Sequence, residues 1–528
     1  MVAPLYTTAS GLLFHAGKIL VVTVGLPARG KTHISRALER YLRWAGIKTQ
    51  VVSLGDYRRK TLGGAQKLPP DYFTFGAWSV DRSWASCLMC TPPNLGKKCP
   101  ETIELRQEVL NGCEQLIWDF FKEGGQCVIY DANNGRRDQR QRVAEKFGKG
   151  GIHVVILGCR YYCVWFHCSL LSLTIPPFFA ESICDDPKVI ERNIRSVKIS
   201  SPDYRGWDPN LAVQDYYSRI RDHEKHYETV DELDVPSIRI INVGEKIMVN
   251  NVRGYLQSRI IFFLMNIHNR YRTIYFARSG HSLHEHSYKV DADLSEIGWE
   301  YAARLKDFVL ERRAKSLKER GLDPKTSRLV IWTSARRRSH HTAWPFLAAA
   351  DSKHPGGAQC KVKVIEKPQM SEINPGVWDG LTVADAKSEY PEEWERFVKD
   401  PYSFRAPRAE SYHDLSVRLE PTLIELEREQ EDLLIIGHAS VIRCLLAYLI
   451  GLPPSEIPAI EVARGDLIEV VPASYGVHSQ AYHFWDGPGR THGEGEGAYE
   501  ERDPNNFYEN YAEDTREKKH RVGWDDET

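Results

Sequence analysis

The chain lacks any surplus of charge. Its 528 residues hold 70 Lys and Arg against 71 Asp and Glu, a net charge of −1. That removes the electrostatic reason to expect nucleic acid or an anionic membrane as a partner, so an anionic ligand must be caught locally. The opening MVAPLYTTASGLLFHAGK lacks the charged start, long apolar middle and cleavage site of a secretory leader, and a cytoplasmic location is expected. Most of the 11 cysteines are then expected as free thiols. They include Cys87-x-x-Cys90 and the group Cys159, Cys163, His167 and Cys168, but no second well-spaced pair completes a four-ligand zinc site. No internal repeat is present. No uninterrupted apolar run reaches the roughly 20 residues of a membrane-spanning helix, and the length suits about two to four domains.

What is present is organised around KILVVTVGLPARGKT. The apolar run Ile19 to Val24 reads as a strand, and His33 to Trp44 as a helix. Between them Gly25-Leu26-Pro27-Ala28-Arg29-Gly30-Lys31-Thr32 fits G-x-x-x-x-G-K-[ST]. Strand, phosphate loop and helix must come in this order. Glycines let backbone N–H groups close around phosphates at a helix N-terminus, Lys31 reaches the outer phosphates and Thr32 can ligate Mg²⁺.

Thr49 to Leu54 reads as a second buried strand, ending at Gly55-Asp56-Tyr57-Arg58-Arg59; arginines past a strand end in an α/β sheet face the crevice where ligands bind. Residues 60–100, rich in Gly, Pro and aromatics without a clean period, read as an insertion or lid-like loop. The helical run Glu101 to Lys122 carries Arg106. Gln126 to Tyr130 delivers Asp131 to a strand tip, where phosphate-loop enzymes place a second Mg²⁺ contact or a base for the attacking hydroxyl. Asn133, Asn134, Arg136, Arg137 and Arg140 follow as a polar, basic stretch suited to a phosphorylated acceptor. The strand beginning at His153 is then interrupted by GCRYYCVWFHCSLLSLTIPP, residues 158–177. This cysteine-rich, aromatic block divides a core strand and reads as a retained intron.

The ordered set GLPARGKT, GDYRR, YDANN, ESICDDP and VKISSPDY resembles the kinase half of the 6-phosphofructo-2-kinase/fructose-2,6-bisphosphatase family. The resemblance implies transfer of the γ-phosphoryl of Mg·ATP to the 2-hydroxyl of fructose 6-phosphate, and a homodimer. By matching position Gly25 to Thr32 hold ATP, with Asn193 and Val197 lining its site, and Thr32 and Asp131 hold Mg²⁺. Lys31, Asp131, Lys198 and Cys184 match catalytic positions. Arg59, Arg106, Lys198 and Arg219 match sugar-phosphate contacts. Asn133 stands where the family has threonine, Gln139 where it has arginine and His223 where it has tyrosine; Asn133 and His223 can still hydrogen-bond the sugar.

In the second half Arg272 to Ala277, Leu329 to Ser334 and Leu433 to Gly437 read as strands that deliver Arg278-Ser279-Gly280, Arg338 and His438 to one end of a sheet. The order resembles a histidine phosphatase domain, whose Arg-His-Gly signature here reads Arg278-Ser279-Gly280. A serine hydroxyl is a poor nucleophile without an adjacent base. Glu285 and Ala439 also replace the family's asparagine and glutamine, and a carboxylate beside a phosphate repels it. Arg278, Arg338, Glu372 (matching the proton donor), His438 and Arg443 remain, so the expected pocket keeps phosphate-binding residues without the means of turnover.

The expected fold is α/β: a P-loop NTPase-type kinase domain over 18–268, then a histidine-phosphatase-like (phosphoglycerate-mutase-like) domain over 269–485. A tail over 1–17 and a disordered, aliphatic-poor tail over 486–528 flank them. A bifunctional enzyme and a non-enzymatic scaffold stand as alternatives.

Overall fold

The computed structural model describes residues 18–69, 71–73, 99–149, 153–156, 179–183, 190–191, 194, 202–204, 207–230, 237–241, 246–250, 252, 255–267, 271–285, 287–350, 361–473 and 476–487. The cysteines and histidine weighed as zinc ligands, at 87, 90, 159, 163, 167 and 168, the tail 1–17, the block 158–177 and all but the first two residues of 486–528 lie outside them. The chain forms two compact units.

Among the described residues the first unit carries seven strands: β1 Ile19–Val24, β2 Thr49–Ser53, β3 Cys127–Asp131, β4 His153–Ile156, β5 Phe179–Ile183, β6 Ser237–Ile241 and β7 Lys246–Asn250. Their order is β2-β3-β1-β5-β6-β7, with β4 also paired to β1 and only β7 antiparallel. The runs ILVVTV and CVIYD are buried along their whole length, as strands covered on both faces must be. Because β1 connects to β2 on one side and the chain later crosses to β4 and β5 on the other, the carboxyl ends of β1 and β3 flank the crevice at the change of direction.

The helix expected to start at His33 spans Lys31–Trp44, so it begins at the phosphate-loop lysine itself. Within the stretch expected as an insertion, the helix Leu54–Leu62 runs past Lys60, Ala65–Lys67 form a 3₁₀ turn, and Asp71 fastens the next helix, accepting from the Cys99 N–H at 2.9 Å and the Thr102 hydroxyl at 2.6 Å.

β4 and β5 lie one after the other along the same edge of β1. His153, Val154 and Val155 face Ile19, Leu20 and Val21, and Phe179, Ala180 and Glu181 face Val22, Thr23 and Val24. The two pairings are those of one strand whose numbering jumps by 23 residues. Removing residues 158–180 would join Leu157 to Glu181 with every partner on β1 unchanged.

The second unit carries β8 Ile274–Arg278, β9 Arg328–Thr333, β10 Lys361–Glu366, β11 Asp432–Gly437, β12 Asp466–Ala473 and β13 Gly476–His483. The order is β10-β9-β11-β8-β12-β13, parallel from β10 to β8 and antiparallel at β12 and β13. Tyr275, Ala277, Leu329, Ile331, Leu434 and Ile436 pack with Tyr301 and Leu305 of the helix Glu296–Glu319. The helix Ala439–Ile450 is buried through Leu449 and ends at Gly451, whose φ of 78° suits a residue without Cβ.

A chain lacking 158–180 is expected to fold with an unbroken strand beside β1 and to melt no lower than the full chain. Loss of folding on this deletion, read by circular dichroism and thermal melting, counts against the interrupted-strand reading.

Candidate functional site

The first candidate centre lies at the tips of β1 and β3. Gly25 sits at φ 148°, where an added Cβ would come within 2.8 Å of the Ser182 carbonyl, and Ala28 and Gly30 turn the loop with φ of 62° and 82°. The Gly25 N–H donates to the Asn133 carbonyl at 3.0 Å, and Asn134 Nδ2 to the Thr23 carbonyl at 2.9 Å. Through these bonds the segment after β3 holds the start of the loop. Arg29 is anchored through its carbonyl, which accepts from the Ser182 hydroxyl, and its guanidinium lies 3.6 Å from Glu224.

Lys31, the first residue of its helix, folds its Nζ back to donate to the carbonyls of Gly25 and Leu26 at 2.8 and 2.6 Å. Next to it Thr32 Oγ1 donates to Asp131 Oδ2 at 2.9 Å. On the other carboxylate oxygen Thr23 Oγ1 approaches to 3.5 Å while donating to Ala132 O at 3.1 Å. A hydroxyl and a carboxylate 99 residues apart thus present adjacent hard oxygens, the donor chemistry Mg²⁺ accepts. Lys31 and the N–H groups opening the helix complete a phosphate cradle.

Beside it the arginines gather. Arg58 Nη1 and Nη2 donate to Asp203 Oδ1 and Oδ2 at 2.7 and 2.6 Å, and Arg59 Nη1 adds a third bond to Oδ2 at 3.2 Å while pairing with Asp56. Burial alone would raise the Asp203 carboxyl, but the bonds and charge of Arg58, with Arg59 behind, hold it below the usual carboxylate range. Arg219 stacks 3.8 Å from the Phe73 ring centre and 5.2 Å from that of Tyr204. Arg106 lies 5.5 Å from that of Tyr72, and Arg58 5.2 Å from that of Phe73. Two adjacent aromatics, Tyr72 and Phe73, therefore collect cations from three parts of the chain. His223 follows Arg219 by one turn on the helix Pro209–Glu224, on the same side.

Sequence reasoning missed Tyr72 and Phe73, and it read Arg58 as facing the crevice without its partner Asp203. The pairing of Arg58 with Asp203, separated by 145 residues, has no local signal. Within the basic stretch after Asp131, the structure corrects one expectation. Arg140 is fully buried and donates to the carbonyls of Asn134 at 3.3 Å and Glu228 at 2.9 Å, while Arg136 pairs with Asp138 at 2.8 Å. Arg140 braces the loop rather than facing an acceptor. Cys184, Asn193, Val197 and Lys198 lie outside the described residues.

The second centre lies at the ends of β8, β9 and β11. Ser279 is buried, with its N–H on the Gly437 carbonyl at 2.9 Å, and the Gly280 N–H donates to Thr342 Oγ1 at 2.9 Å. Arg338 pairs with Glu372 and reaches His438 Nδ1 at 3.4 Å, while Ser334 Oγ lies 3.1 Å from His438 Nε2. With Nδ1 accepting from a guanidinium, Nε2 carries the proton of the neutral ring. Burial pushes this imidazole down to about 3 against the pull of Glu372, with Arg338 adding to the fall. Glu285 lies 2.9 Å from Arg464 and 3.8 Å from Arg338. Burial would raise its carboxyl, but Arg464 first and then Arg338 hold it far below the usual range.

Arg278 donates to the Val462 carbonyl at 3.4 Å. Arg443 is turned to the Ile460 carbonyl at 2.6 Å and the Tyr412 hydroxyl at 3.2 Å, so its expected place among the phosphate-binding groups gives way to bracing of the segment after the 3₁₀ turn Pro454–Ala459. Arg464 was not foreseen. It precedes β12, and because β12 runs antiparallel to β8 with Ile468 opposite Phe276, residues just before β12 come to the end of β8 where Ser279 lies. Only the sheet order reveals this.

A parallel α/β unit with a phosphate loop, followed by an α/β unit with arginines and a histidine at its strand ends, defines a phosphotransferase-type domain joined to a phosphatase-type domain. A 6-phosphofructo-2-kinase family model matches residues 6–271, and a histidine phosphatase superfamily (branch 1) model residues 274–483. A Saccharomyces cerevisiae protein of this group is 36% identical over 484 residues, covering 88% of this chain and 83% of that one. Human 6-phosphofructo-2-kinase/fructose-2,6-bisphosphatase 3 is 32% identical over 472 residues, covering 88% and 76%. A Saccharomyces cerevisiae fructose-2,6-bisphosphatase is 31% identical over 467 residues, covering 87% of each. The chain belongs to the 6-phosphofructo-2-kinase/fructose-2,6-bisphosphatase family.

His438, neutral when folded and ordinary at about 6.5 when unfolded, contributes stability that is fully present above about pH 6.5 and is lost as pH falls toward 3. Between pH 7 and 5, above the range where unfolded carboxylates titrate, the urea midpoint of the wild-type chain is expected to fall with pH more steeply than that of His438→Gln. Equal slopes would contradict the buried neutral imidazole.

Proposed function

We propose that the first unit is a 6-phosphofructo-2-kinase, transferring the γ-phosphoryl of ATP to the 2-hydroxyl of fructose 6-phosphate to form fructose 2,6-bisphosphate, and that the second unit is hydrolytically silent. The observation that carries the kinase reading is the contact of Thr32 with Asp131 beside Lys31, a complete set of donors for nucleotide phosphates and their metal. In this reading the kinase domain spans 18–268, the phosphatase-like domain 269–485, and the protein works in the cytoplasm as a homodimer.

Thr32 and Asp131 would hold Mg²⁺, which neutralises charge on the nucleotide's outer phosphates. Lys31 exchanges the Gly25 and Leu26 carbonyls for phosphoryl oxygens, at little cost because its ammonium is already aimed into the loop. The loop from Gly25 to Gly30 offers backbone N–H groups, and Asn193 and Val197 line the nucleotide side. Asp131 also stands where a base toward the acceptor hydroxyl is needed. Arg59, Arg106 and Arg219 anchor the sugar phosphate with Asn133 and His223 near it, and Lys198 serves both substrates, with Cys184 at the same site. Phosphoryl transfer asks for this positioning and charge neutralisation more than for covalent help.

A relative named for the phosphatase alone shows that family membership leaves the direction open, so the direction is argued from residues. Ser279 has no described hydrogen bond to a base, and the His438 imidazole is bonded to Ser334 and Arg338.

Purified protein with Mg·ATP and fructose 6-phosphate is expected to form an acid-labile sugar bisphosphate, and Lys31→Ala to cut the rate on the order of a hundredfold or more; undiminished formation would remove the proposed site. For the second unit, release of phosphate from the 2-position is expected to stay near background in the wild type and in Ser279→His, because Glu285 and Ala439 remain. A trapped phosphoenzyme or steady phosphate release in the wild type would overturn the silent reading, and near-complete rescue by Ser279→His would contradict the part given to Glu285 and Ala439.

A further inference from the structure

Glu285 does more in this fold than repel an incoming anion. It lies on the loop after β8 with its side chain only 12% exposed. Its Oε1 accepts the Ser282 backbone N–H at 2.6 Å, and its Oε2 accepts from Arg464 Nη2 at 2.9 Å with Arg338 Nη1 at 3.8 Å. Arg464 is itself fixed, its Nε donating to the Ser279 carbonyl at 3.2 Å, so the carboxylate is tied to the very residue that replaces the nucleophile. One backbone N–H and two guanidiniums converging on a pair of anionic oxygens form the donor set that recognises phosphoryl groups.

We infer that Glu285 is a built-in anion that fills the phosphate subsite of the second unit, so that this pocket excludes phosphate esters instead of holding them unproductively. The local charges agree. Arg338 is shared between Glu285 and Glu372, Arg464 is engaged by Glu285, and His438 adds no charge in its neutral form. A phosphate entering this buried place meets two carboxylates and finds the guanidiniums of Arg338 and Arg464 committed. The nearby cleft lined by Ser282, Tyr288, Asp291, Arg336, Arg338 and Glu372 is then left without a free cationic anchor at Arg338. The inference deepens the silent reading of this unit and rests on it. It is tested by binding rather than by turnover, so either can fail while the other stands.

The probe is inorganic phosphate, titrated calorimetrically into the full chain with Mg·ADP saturating, for the wild type, Arg338→Ala, Glu285→Asn, Glu285→Gln and Glu285→Asn with Arg338→Ala. Phosphate held by the first unit is common to all five and cancels in the comparison. Glu285→Asn and Glu285→Gln are expected to gain one phosphate site, tighter than any wild-type binding there by roughly a hundredfold, as removal of a close like charge allows. Adding Arg338→Ala should abolish it. Wild type and Arg338→Ala should titrate alike. The inference is overturned if the wild type loses a site on Arg338→Ala, or if both folded Glu285 variants titrate like the wild type. Should circular dichroism show that the Glu285 variants do not fold, the comparison of wild type with Arg338→Ala still decides whether phosphate occupies the wild-type pocket.

Discussion

The hydrogen bond between Thr32 and Asp131 depends on parallel pairing of β1 with β3. Strand pairing sets Val22 against Tyr130, which brings the phosphate loop and the Asp131 carboxylate to the same sheet end. Thr23 reinforces the join, its hydroxyl donating to Ala132 O across the gap. Were the register to slip by one residue, every side chain of β3 would change face and Asp131 would leave the loop. The runs ILVVTV and CVIYD resist that slip because both are buried along their whole length, so a shifted strand would have to repack side chains of different volume on each face. Core packing and site geometry are thus one constraint in this unit.

This explains what the sequence could reveal. The phosphate loop was legible because strand, glycines, lysine and helix are contiguous, and Asp131 because it ends an apolar run. Arg59, past a strand end, and Arg106 were legible as crevice-facing, and their role as sugar-phosphate contacts, like Arg219 altogether, only through resemblance. The structure gives their grouping a cause that no window of sequence contains: Tyr72 and Phe73 stack with Arg106 and Arg219, and Asp203 binds Arg58 and Arg59 from another part of the chain. Arg464 was hidden for a different reason. Its position follows from an antiparallel edge strand, and β12 and β13 carry turn and polar residues that read weakly as strands.

The interrupted strand shows the opposite case, in which sequence and structure each hold half of the argument. Composition marked 158–177 as foreign to a core strand. The pairings of β4 and β5 supply what composition cannot, namely that the flanks continue one another in register once 23 residues are removed. A loop that had evolved within the fold would have no need to preserve that register on both sides. A segment inserted into a finished strand would.

On the proposed reading, the two centres meet anions by contrasting means. The first relies on backbone N–H groups and one lysine whose ammonium donates to the carbonyls of Gly25 and Leu26, neutral groups that phosphoryl oxygens can replace. The second relies on arginines, and its cations Arg338 and Arg464 are already neutralised by Glu285 and Glu372 in a buried place. Breaking a buried ion pair leaves a charge uncompensated and is costly, commonly by about 3–5 kcal/mol. The difference between a centre ready for a phosphate and one closed to it therefore lies less in the number of cations than in what they must release. On the proposed reading, serine in place of the nucleophile removes turnover, while the Glu285 carboxylate, long enough to reach the guanidiniums on its own, closes the site.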